Sequence, residues 1–302
     1  MDHISRTTAA IVVVFRPDAD PKELLSSLRH QVAVTVVADN SLEGHAGLAM
    51  VPQREDLIRL RTRNHGGLAG AYNRAIEHIV SQRSDISHVV FLDEDSQTST
   101  LHALLADTAA AELLRHAAVA SVAAAYVDRA TGLRGRYIEL RRLRFHFLPR
   151  HFTGLRQVAF VINSMSVWRV SALQQIGPFN EALAIDHIDT EYCLRARQHG
   201  LQVHVHGSHE FAHSIGQRRR FSIFGREMQA GGHPPDRRYL IGRNTAWLGS
   251  RYAVREPAFA FLCLSRLAYE LVGILLAEHQ RAPKLWALTR GALNGLLKPM
   301  RQ

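Results

Sequence analysis

The sequence predicts an α/β fold: a doubly wound sheet flanked by helices, followed by a helical C-terminal tail. Three observations carry this. Short apolar runs rich in β-branched residues recur at 9–15, 32–38 and 88–92, helix-patterned segments separate them, and two of the runs end in the polar clusters Asp39-Asn40-Ser41 and Asp93-Glu94-Asp95. Runs that are apolar on both faces suit strands covered on both sides. Strands that alternate with helices need crossover connections, which generate a parallel sheet. Ligands of such sheets sit beyond the carboxyl ends of the strands, so Asp39, Asn64 and Asp93 are expected along one edge.

Each element follows in order. The run AAIVVVF (9–15) is the first strand and stops at Arg16-Pro17-Asp18. Leucines at 24, 25 and 28 mark a helix over 22–31, and 32–38 is the second strand. A third, weakly marked strand lies within 50–61; Asn64-His65-Gly66-Gly67 is a turn, and 68–81 a helix. The strand at 88–92 precedes an alanine-rich helix over 101–117 and a strand over 118–126. From 127 to 157 the chain is arginine-rich and aperiodic, which suits loops with a short hairpin. VAFVINSMSVW (158–168) reads as a strand, 171–176 as a helix with Ser171 at its N-cap and Gly177-Pro178 at its stop, and 189–198 as a helix ended by Gly200. A short strand is expected at 203–205, loop from Arg220 to about 236, and helix thereafter. With no repeat and no low-complexity linker, the chain divides into one domain, 1–245, in halves of about 1–126 and 127–245, and a tail, 246–302.

The 302 residues are 46% hydrophobic, an ordinary globular composition able to bury a large core. A net charge of +10 points to an acidic partner. Nucleic acid is not expected, since the chain has no aromatic RNA-binding strand, no zinc-finger spacing and no continuous basic helix. The cations instead cluster, at Arg134, Arg136, Arg141, Arg142 and Arg144, and again at Arg218, Arg219 and Arg220 with Arg226, Arg237, Arg238 and Arg243 behind. Such clusters suit a diphosphate or anionic lipid headgroups. Cys193 and Cys263 provide no disulfide framework, and the N-terminal apolar stretch is too short and too β-branched for a signal peptide, so a reducing, cytoplasmic setting is expected. The stretch AFAFLCLSRLAYELVGILLA (258–277) is interrupted by Arg266 and Glu270, four residues apart and able to pair on one helical face. A spanning helix needs about 20 apolar residues with few charges. An amphipathic helix is therefore expected here, docked on the domain or lying in a membrane interface.

Four segments carry chemistry. Asp93-Glu94-Asp95 closes HVVFLDEDS, and two carboxylates flanking one residue at a strand end suit a hard divalent cation. Taken alone, the triplet is more often a plain acidic loop tip, and its place after a buried strand is what raises the metal reading. In AIDHIDTEYCLRARQHG, the acids Asp186, Asp189 and Glu191 stand at a helix start, where the helix dipole favours them as caps. Three acids in six residues, followed by Arg195 and Arg197, also suit a general base held by its neighbours, with Asp189 the candidate. VHVHGSHEF alternates, which places His204 and His206 on one strand face. His213, ahead of Ser214-Ile215-Gly216, is nominated as a third metal ligand or a phosphate contact. The helix after Gly66-Gly67 starts where glycine allows close backbone approach and free N–H groups are available, though without the G-x-G-x-x-G spacing of a dinucleotide site.

In chain order VVVFRP, VVADNS, RNHGGLAGAYNRAI, VVFLDEDS, FVINSMSVWRVSALQQIGPFNEALAIDHIDTEYCLRARQHG, HSIG and YLIGRN resemble the inverting GT-A enzymes of glycosyltransferase family 2, over about residues 8–245. D-H-I-D-T-E-Y with F-N-E upstream is similar to the bacterial rhamnosyltransferase branch, and within it to the rhamnolipid second rhamnosyltransferases. The resemblance implies the GT-A fold, a Rossmann-like mixed sheet, with a nucleotide-sugar half and an acceptor half. It implies that Asp39 contacts the nucleotide base with Phe15 and Arg16 flanking it, and that Asn64 and Gly67 lie beside the donor. It further implies that Asp93 and Asp95 hold Mg2+ or Mn2+, with His213 a further ligand, and that Arg243 and Asn244 approach the diphosphate. Asp189 falls at the catalytic base, with Asp186 and Glu191 supporting the acceptor side. The implied reaction is one inverting displacement, from dTDP-rhamnose to a glycolipid, rhamnolipid or cell surface polysaccharide hydroxyl, by a cytoplasmic enzyme with peripheral membrane contact. Two other readings fit the same residues: a UDP-hexose donor, and a non-catalytic membrane- or polyanion-binding protein on this scaffold.

Overall fold

The computed structural model describes residues 4–15, 21–49, 51–52, 54–214, 219–223, 226–298 and 300, with backbone alone at 49, 219–223 and 226–229. Arg16 and Arg218 lie outside the described residues, as do the side chains of Arg219, Arg220 and Arg226. The chain runs β1 (Thr8–Val14), α1 (Lys22–Leu28), β2 (Val34–Asp39), α2 (Ala46–Ala49), β3 (Leu57–Arg61), α3 (Gly67–Gln82), β4 (His88–Asp93), α4 (Thr98–Ala106), α5 (Thr108–Arg115) and β5 (Val119–Asp128). It continues through β6 (Ile138–Arg141), β7 (Arg144–Phe147), β8 (Leu155–Val158), β9 (Ser166–Arg169), α6 (Val170–Ile176), α7 (Ile188–Gln198) and β10 (Gln202–His213). The hairpin β11 (Arg219–Ile223) and β12 (Arg226–Ala230) then leads to α8 (Pro235–Tyr252), α9 (Pro257–Ala277) and α10 (Arg281–Leu297).

Eight strands form one mixed sheet in the order β3-β2-β1-β4-β9-β5-β10-β8. This is the α/β, GT-A arrangement with a helical C-terminal region. β1 shows why its sequence makes a central strand. Side chains alternate across a strand, so Ala9, Ile11 and Val13 enter the core under α3, with Tyr72, Ala75 and Ile79. Ala10, Val12 and Val14 enter the opposite core, with Leu24, Leu28 and Leu101 from α1 and α4. Every residue of β1 is buried, and each large side chain contributes about 1.5–3 kcal/mol by leaving water.

The sheet is mixed, as the resemblance implies: β9 lies antiparallel between β4 and β5, and β8 antiparallel on the edge at β10. The elements depart from the sequence reading in four places. The run 158–168 is not one strand, because Met165 takes a left-handed φ of 58° and breaks it, leaving β9 to begin at Ser166. The helix expected over 101–117 is two helices divided at Asp107, whose extended backbone stops α4 and whose Oδ1 accepts the Ala110 N–H at 2.8 Å to cap α5. The strand at 203–205 extends to His213, since the chain loops out residues 207–209 between the pairs His206–Ala124 and Glu210–Ala125 and then resumes pairing. The expected loop beyond 220 also contains the paired strands β11 and β12.

The helix α8 crosses the 245/246 division. α10 packs on it closely because Gly291 and Gly295 lack side chains, and a Cβ at either would overlap the carbonyl oxygens of Tyr239 and Arg243. α9 is 21 residues long and holds an 18-residue stretch with a mean hydropathy of 1.8, enough in length and composition to cross a membrane. One face of it is docked on the domain instead, through Phe259, Cys263, Glu270 and Ile274. Arg238 of α8, itself fully buried, binds both Glu270 and Glu278, and Lys284 reaches Glu278 at 2.8 Å. Burial works against the Glu278 charge, yet the bonds from Lys284 and the Gly232 N–H, with Arg238 beside them, hold its carboxyl below the usual range.

Removing one member of a buried ionic group leaves the others uncompensated, at a cost of about 3–5 kcal/mol. Glu278→Ala should therefore lower stability by that order in denaturant unfolding at pH 7. The deficit should shrink as pH falls through the Glu278 titration, because the depressed carboxyl contributes only while ionised.

Candidate active site

The carboxyl ends of β1, β2, β4 and β10 converge with the start of α3 and the loop before α7 on an open cleft of about 650 Å3. Val13 and Phe15 line it from β1, Asp93, Glu94 and Asp95 from β4, and His213 and Ser214 from β10. Asn40, Asn64, Gly67 and Leu68 form a second wall, and Ala184 and Ile185 a third.

Strand register sets the first corner. Asp93 pairs with Val13 at the last position of the β1–β4 ladder, so its side chain emerges where apolar cover ends. His213 Nδ1 stands 3.4 Å from Asp93 Oδ2. Burial raises the Asp93 carboxyl above its ordinary range, His213 and a Ser164 hydrogen bond oppose this, and Asp95 adds to it. Asp95 Oδ2 accepts from Arg129 at 2.8 Å. Glu94, between the two, accepts the Phe15 N–H at 3.0 Å and so ties the end of β1 to this loop. Asp93 and His213 face each other while Asp95 is held by Arg129; among the described residues, the group of three acid and imidazole side chains whose ligand atoms all lie within 4.8 Å of one another is Asp107, His206 and His209.

The second wall depends on Asn40. Its amide donates to Asn64 Oδ1 at 3.1 Å and to the Gly67 carbonyl at 3.2 Å, and its own oxygen accepts from Thr62 at 2.7 Å. Asn64 holds a left-handed φ of 57°, which asparagine tolerates better than most residues. Gly67 has a φ of +62° and sits against the Ala184 carbonyl, where no Cβ fits. Asp39 turns away into the loop after β2, accepting the N–H groups of Ser41 at 3.1 Å and His45 at 2.9 Å. Asn40, and not Asp39, lines the cleft.

Asp189 occupies the first turn of α7. It accepts a backbone hydrogen bond from Asn163; burial pushes its carboxyl up to about 7, that bond opposes the rise, and Asp93 adds to it. The loop that delivers α7 is strained, with positive φ at Ala184 (64°) and His187 (69°), and α8 holds it. Asn244, fully buried, donates to the Leu183 and Asp186 carbonyls at 2.8 and 2.9 Å. Arg243 donates to the Ala182 carbonyl at 2.7 Å. His187 Nε2 meets Thr245 Oγ1 at 2.8 Å, and burial, then Arg266, pushes its pKa down to about 3, so the ring is neutral. Asp186 is gripped by Arg237 at 3.2 and 3.3 Å.

The structure thus brings together Phe15, Asn64, Gly67, Asp93, Asp95 and His213 along the cleft. Arg243, Asn244 and Asp186 frame the loop behind it. Glu191 is fully buried and paired with Arg195 at 2.7 Å, and Arg195 also bonds the Ile176 and Pro178 carbonyls. The sequence assigns no separate role to Asn40, Glu94 or Asn163: Asn40 and Glu94 stand within the polar clusters ADNS and DEDS, whereas Asn163 sits inside an apolar run with no local signal. Among the other histidines, His206 and His209 meet Asp107 Oδ2 through Nε2 at 3.3 and 3.1 Å, and Ser208 N–H donates to His206 Nδ1 at 3.2 Å. This second Asp/His group is joined by hydrogen bonds and fastens the β10 bulge to the α4–α5 junction.

Residues 10–177 match the family model described as glycosyl transferase family 2. The dTDP-rhamnosyl transferase RfbF of Shigella flexneri is 23% identical over 279 residues, 84% of this chain and 85% of its own length. The crystal structure of GalNAc-T7 with UDP, GalNAc and Mn2+ is similar in fold, at 10% identity over 84% of this chain and 52% of that chain, with a TM-score of 0.50. The S. aureus TarS 1–349 structure covers 96% of this chain and 71% of its own, at 15% identity and a TM-score of 0.44.

Two outcomes follow from this geometry. Gly67→Ala combines an unfavourable φ with a backbone overlap, and should cost about 1–3 kcal/mol in equilibrium unfolding. Asp189 has an ordinary value of 3.8 and a folded value of about 7, so ionising it works against the fold as pH rises across that window. Asp189→Asn should therefore raise the melting temperature at pH 8 and leave it nearly unchanged at pH 4; equal shifts at both would contradict the burial of a reluctant acid.

Proposed function

Because the chain belongs to glycosyl transferase family 2, we propose that its cleft transfers L-rhamnose from dTDP-rhamnose to a hydroxyl of a glycolipid or surface glycan, with inversion at the anomeric carbon. The observation that carries the transfer reading is the cleft corner lined by Asp93, Asp95 and His213, with the raised acid Asp189 behind it, near enough to Asp93 for the two charges to interact. Support for the rhamnosyl donor comes from the Shigella relative, which aligns over most of both chains.

In this reading the nucleoside lies along Phe15, Asn40, Asn64 and Gly67, and the diphosphate beside Asp93. Asp93, Asp95 and His213 would hold Mg2+ or Mn2+, which when bound would supply stabilisation of the charge developing on the departing diphosphate. Asp189 accepts the acceptor hydroxyl proton while that oxygen forms its bond to the anomeric carbon. The bond from that carbon to the phosphate oxygen breaks in the same displacement, and the nucleoside diphosphate leaves with the electron pair. A carboxyl raised to about 7 is a stronger base than an ordinary one and is still largely ionised slightly above neutrality. Asp186, Arg237, Arg243 and Asn244 keep Asp189 in place from behind. The reaction is assigned to the cytoplasmic face of the membrane, where nucleotide sugars and lipid-linked acceptors meet.

The test is nucleotide release from dTDP-rhamnose with a mono-rhamnosylated hydroxyacid lipid as acceptor, with and without Mg2+, and with UDP-glucose as competitor. Release should need both acceptor and metal, and Asp189→Asn should lower kcat by about 10²–10⁴. The wild-type rate should climb from pH 6 to pH 8, since the base works only when ionised, and fall about tenfold per unit well below its pKa. Release from UDP-glucose alone would move the donor assignment, and a fully active Asp189→Asn would remove the base.

A further inference from the structure

We propose that the outer faces of α9 and α10, with the tip of the β6–β7 hairpin, form a docking surface for an anionic lipid bilayer. The first observation is the orientation of α9. Phe261, Leu264, Ala268, Leu271 and Leu275 recur every three or four residues, which places them on one stripe of the helix, and all five are exposed. The acid of the docked face, Glu270, lies on the other side of the helix, between Arg238 and Arg266. An ordinary amphipathic helix hides its apolar stripe; this one hides its acid and leaves the stripe outside. α10 repeats the pattern, with Trp286, Leu293 and Leu297 on one outer face and Trp286 69% exposed.

The second observation joins two regions far apart in sequence. The Ala258 N–H, in the first turn of α9, donates to the Arg142 carbonyl at 3.2 Å, and the Phe145 and Phe261 rings stack with centroids 6.4 Å apart. The hairpin turn therefore lies beside the exposed stripe. Its tip is Leu143, 80% exposed, set between Arg142 and Arg144, which are also exposed. An apolar tip flanked by cations suits insertion between lipid headgroups.

The third observation identifies the occupant. Residues 246–302 contain three acids, Glu256, Glu270 and Glu278. Each is partnered inward: Glu256 by Arg197 at 2.6 Å, and Glu270 and Glu278 by Arg238. Arg266 pairs with Glu270 at 3.3 Å; the other exposed Lys and Arg side chains among the described residues of this segment are Arg251, Arg255, Arg281, Arg290 and Lys298, and no exposed acid of the segment offsets them. A symmetric pair of copies would bring these cations face to face. A bilayer of anionic lipid accepts the apolar stripe and neutralises the cationic rim together. Arg238, which anchors α9, belongs to the same helix as Asn244, which holds the loop before Asp189, so docking sets the acceptor side of the cleft one helix away from the lipid. The surface stands on the exposed faces alone; only its use, presenting a lipid-linked acceptor, rests on the transferase reading.

The test is co-sedimentation of the full chain with phosphatidylcholine vesicles, with and without phosphatidylglycerol. Wild type should bind the phosphatidylglycerol vesicles and be released by added salt. Phe261→Ser with Leu264→Ser should weaken binding by roughly tenfold or more, given the apolar area lost. Arg142→Gln with Arg144→Gln should reduce the salt-sensitive part. Unchanged melting temperatures would show that the variants remain folded, as expected for exposed positions. Wild type that stays in the supernatant, variants that bind as wild type does, or a Leu264-dependent dimer in light scattering without vesicle binding would each overturn the surface. Nucleotide release with a water-soluble acceptor separates the two readings. Release without vesicle binding removes the surface alone, and vesicle binding without release removes the transfer alone.

Discussion

Asn244 is a small side chain on which much of the site's geometry rests. From the interior of α8 it donates to two carbonyls of the loop before α7, and that loop carries positive φ at Ala184 and His187. A strained connection persists only where its surroundings over-determine it. Here the surroundings are Asn244 and Arg243 from one side and Gly67 from the other. The consequence reaches two walls of the cleft. Gly67 begins α3 and lines one wall, Ala184 and Ile185 line another, and Asp189 follows within a few residues. A helix outside the matched family segment thus helps to position the cleft.

The second constraint is electrostatic. The strand edge gathers Asp93, Asp95 and Asp189, and two of these carboxyls are raised, each chiefly by burial and further by a neighbouring acid. Such a cluster costs stability in the empty protein. His213 and Arg129 offset part of this by facing Asp93 and Asp95. Among the described residues no cation offsets Asp189, whose carboxyl burial and Asp93 push up to about 7. Elsewhere the chain treats buried acids differently. Glu191, Glu270 and Glu278 each have an arginine partner, which marks them as parts of the frame.

The C-terminal region shows the same division of labour in its packing. Glycines at 291 and 295 let α10 approach the α8 backbone, and the Arg238-centred ionic group fastens α9 to α8. Polar and close-packed contacts therefore face inward while large apolar side chains remain outside, the reverse of a soluble helical bundle. The basic hairpin β6–β7 adds cations to that outer face. Charge and hydrophobicity that looked unrelated along the chain form one surface.

Much of this was legible in the sequence, and the rest was not, for identifiable reasons. Patterning by itself determined the nucleotide-side strands and helices, because a run such as AAIVVVF can be buried only on both faces and the polar residues that end such runs must lie at the sheet edge. It also determined that Asp93 and Asp95 stand at a strand end and that a helix begins near Asp189. Antiparallel β9 and the β10 bulge depended on a left-handed residue at Met165 and three looped-out residues after His206, conformations that leave no periodic trace. Tertiary structure also decided which polar residues serve the cleft. Asn40 and Asp39 are neighbours with equally plausible side chains, and only the packing of the 62–67 turn sends one into the cleft and the other into its own loop. Arg243 and Asn244 reach the 182–186 carbonyls because α8 folds back across α7's entry, a long-range contact between residues some 60 positions apart that local sequence cannot encode.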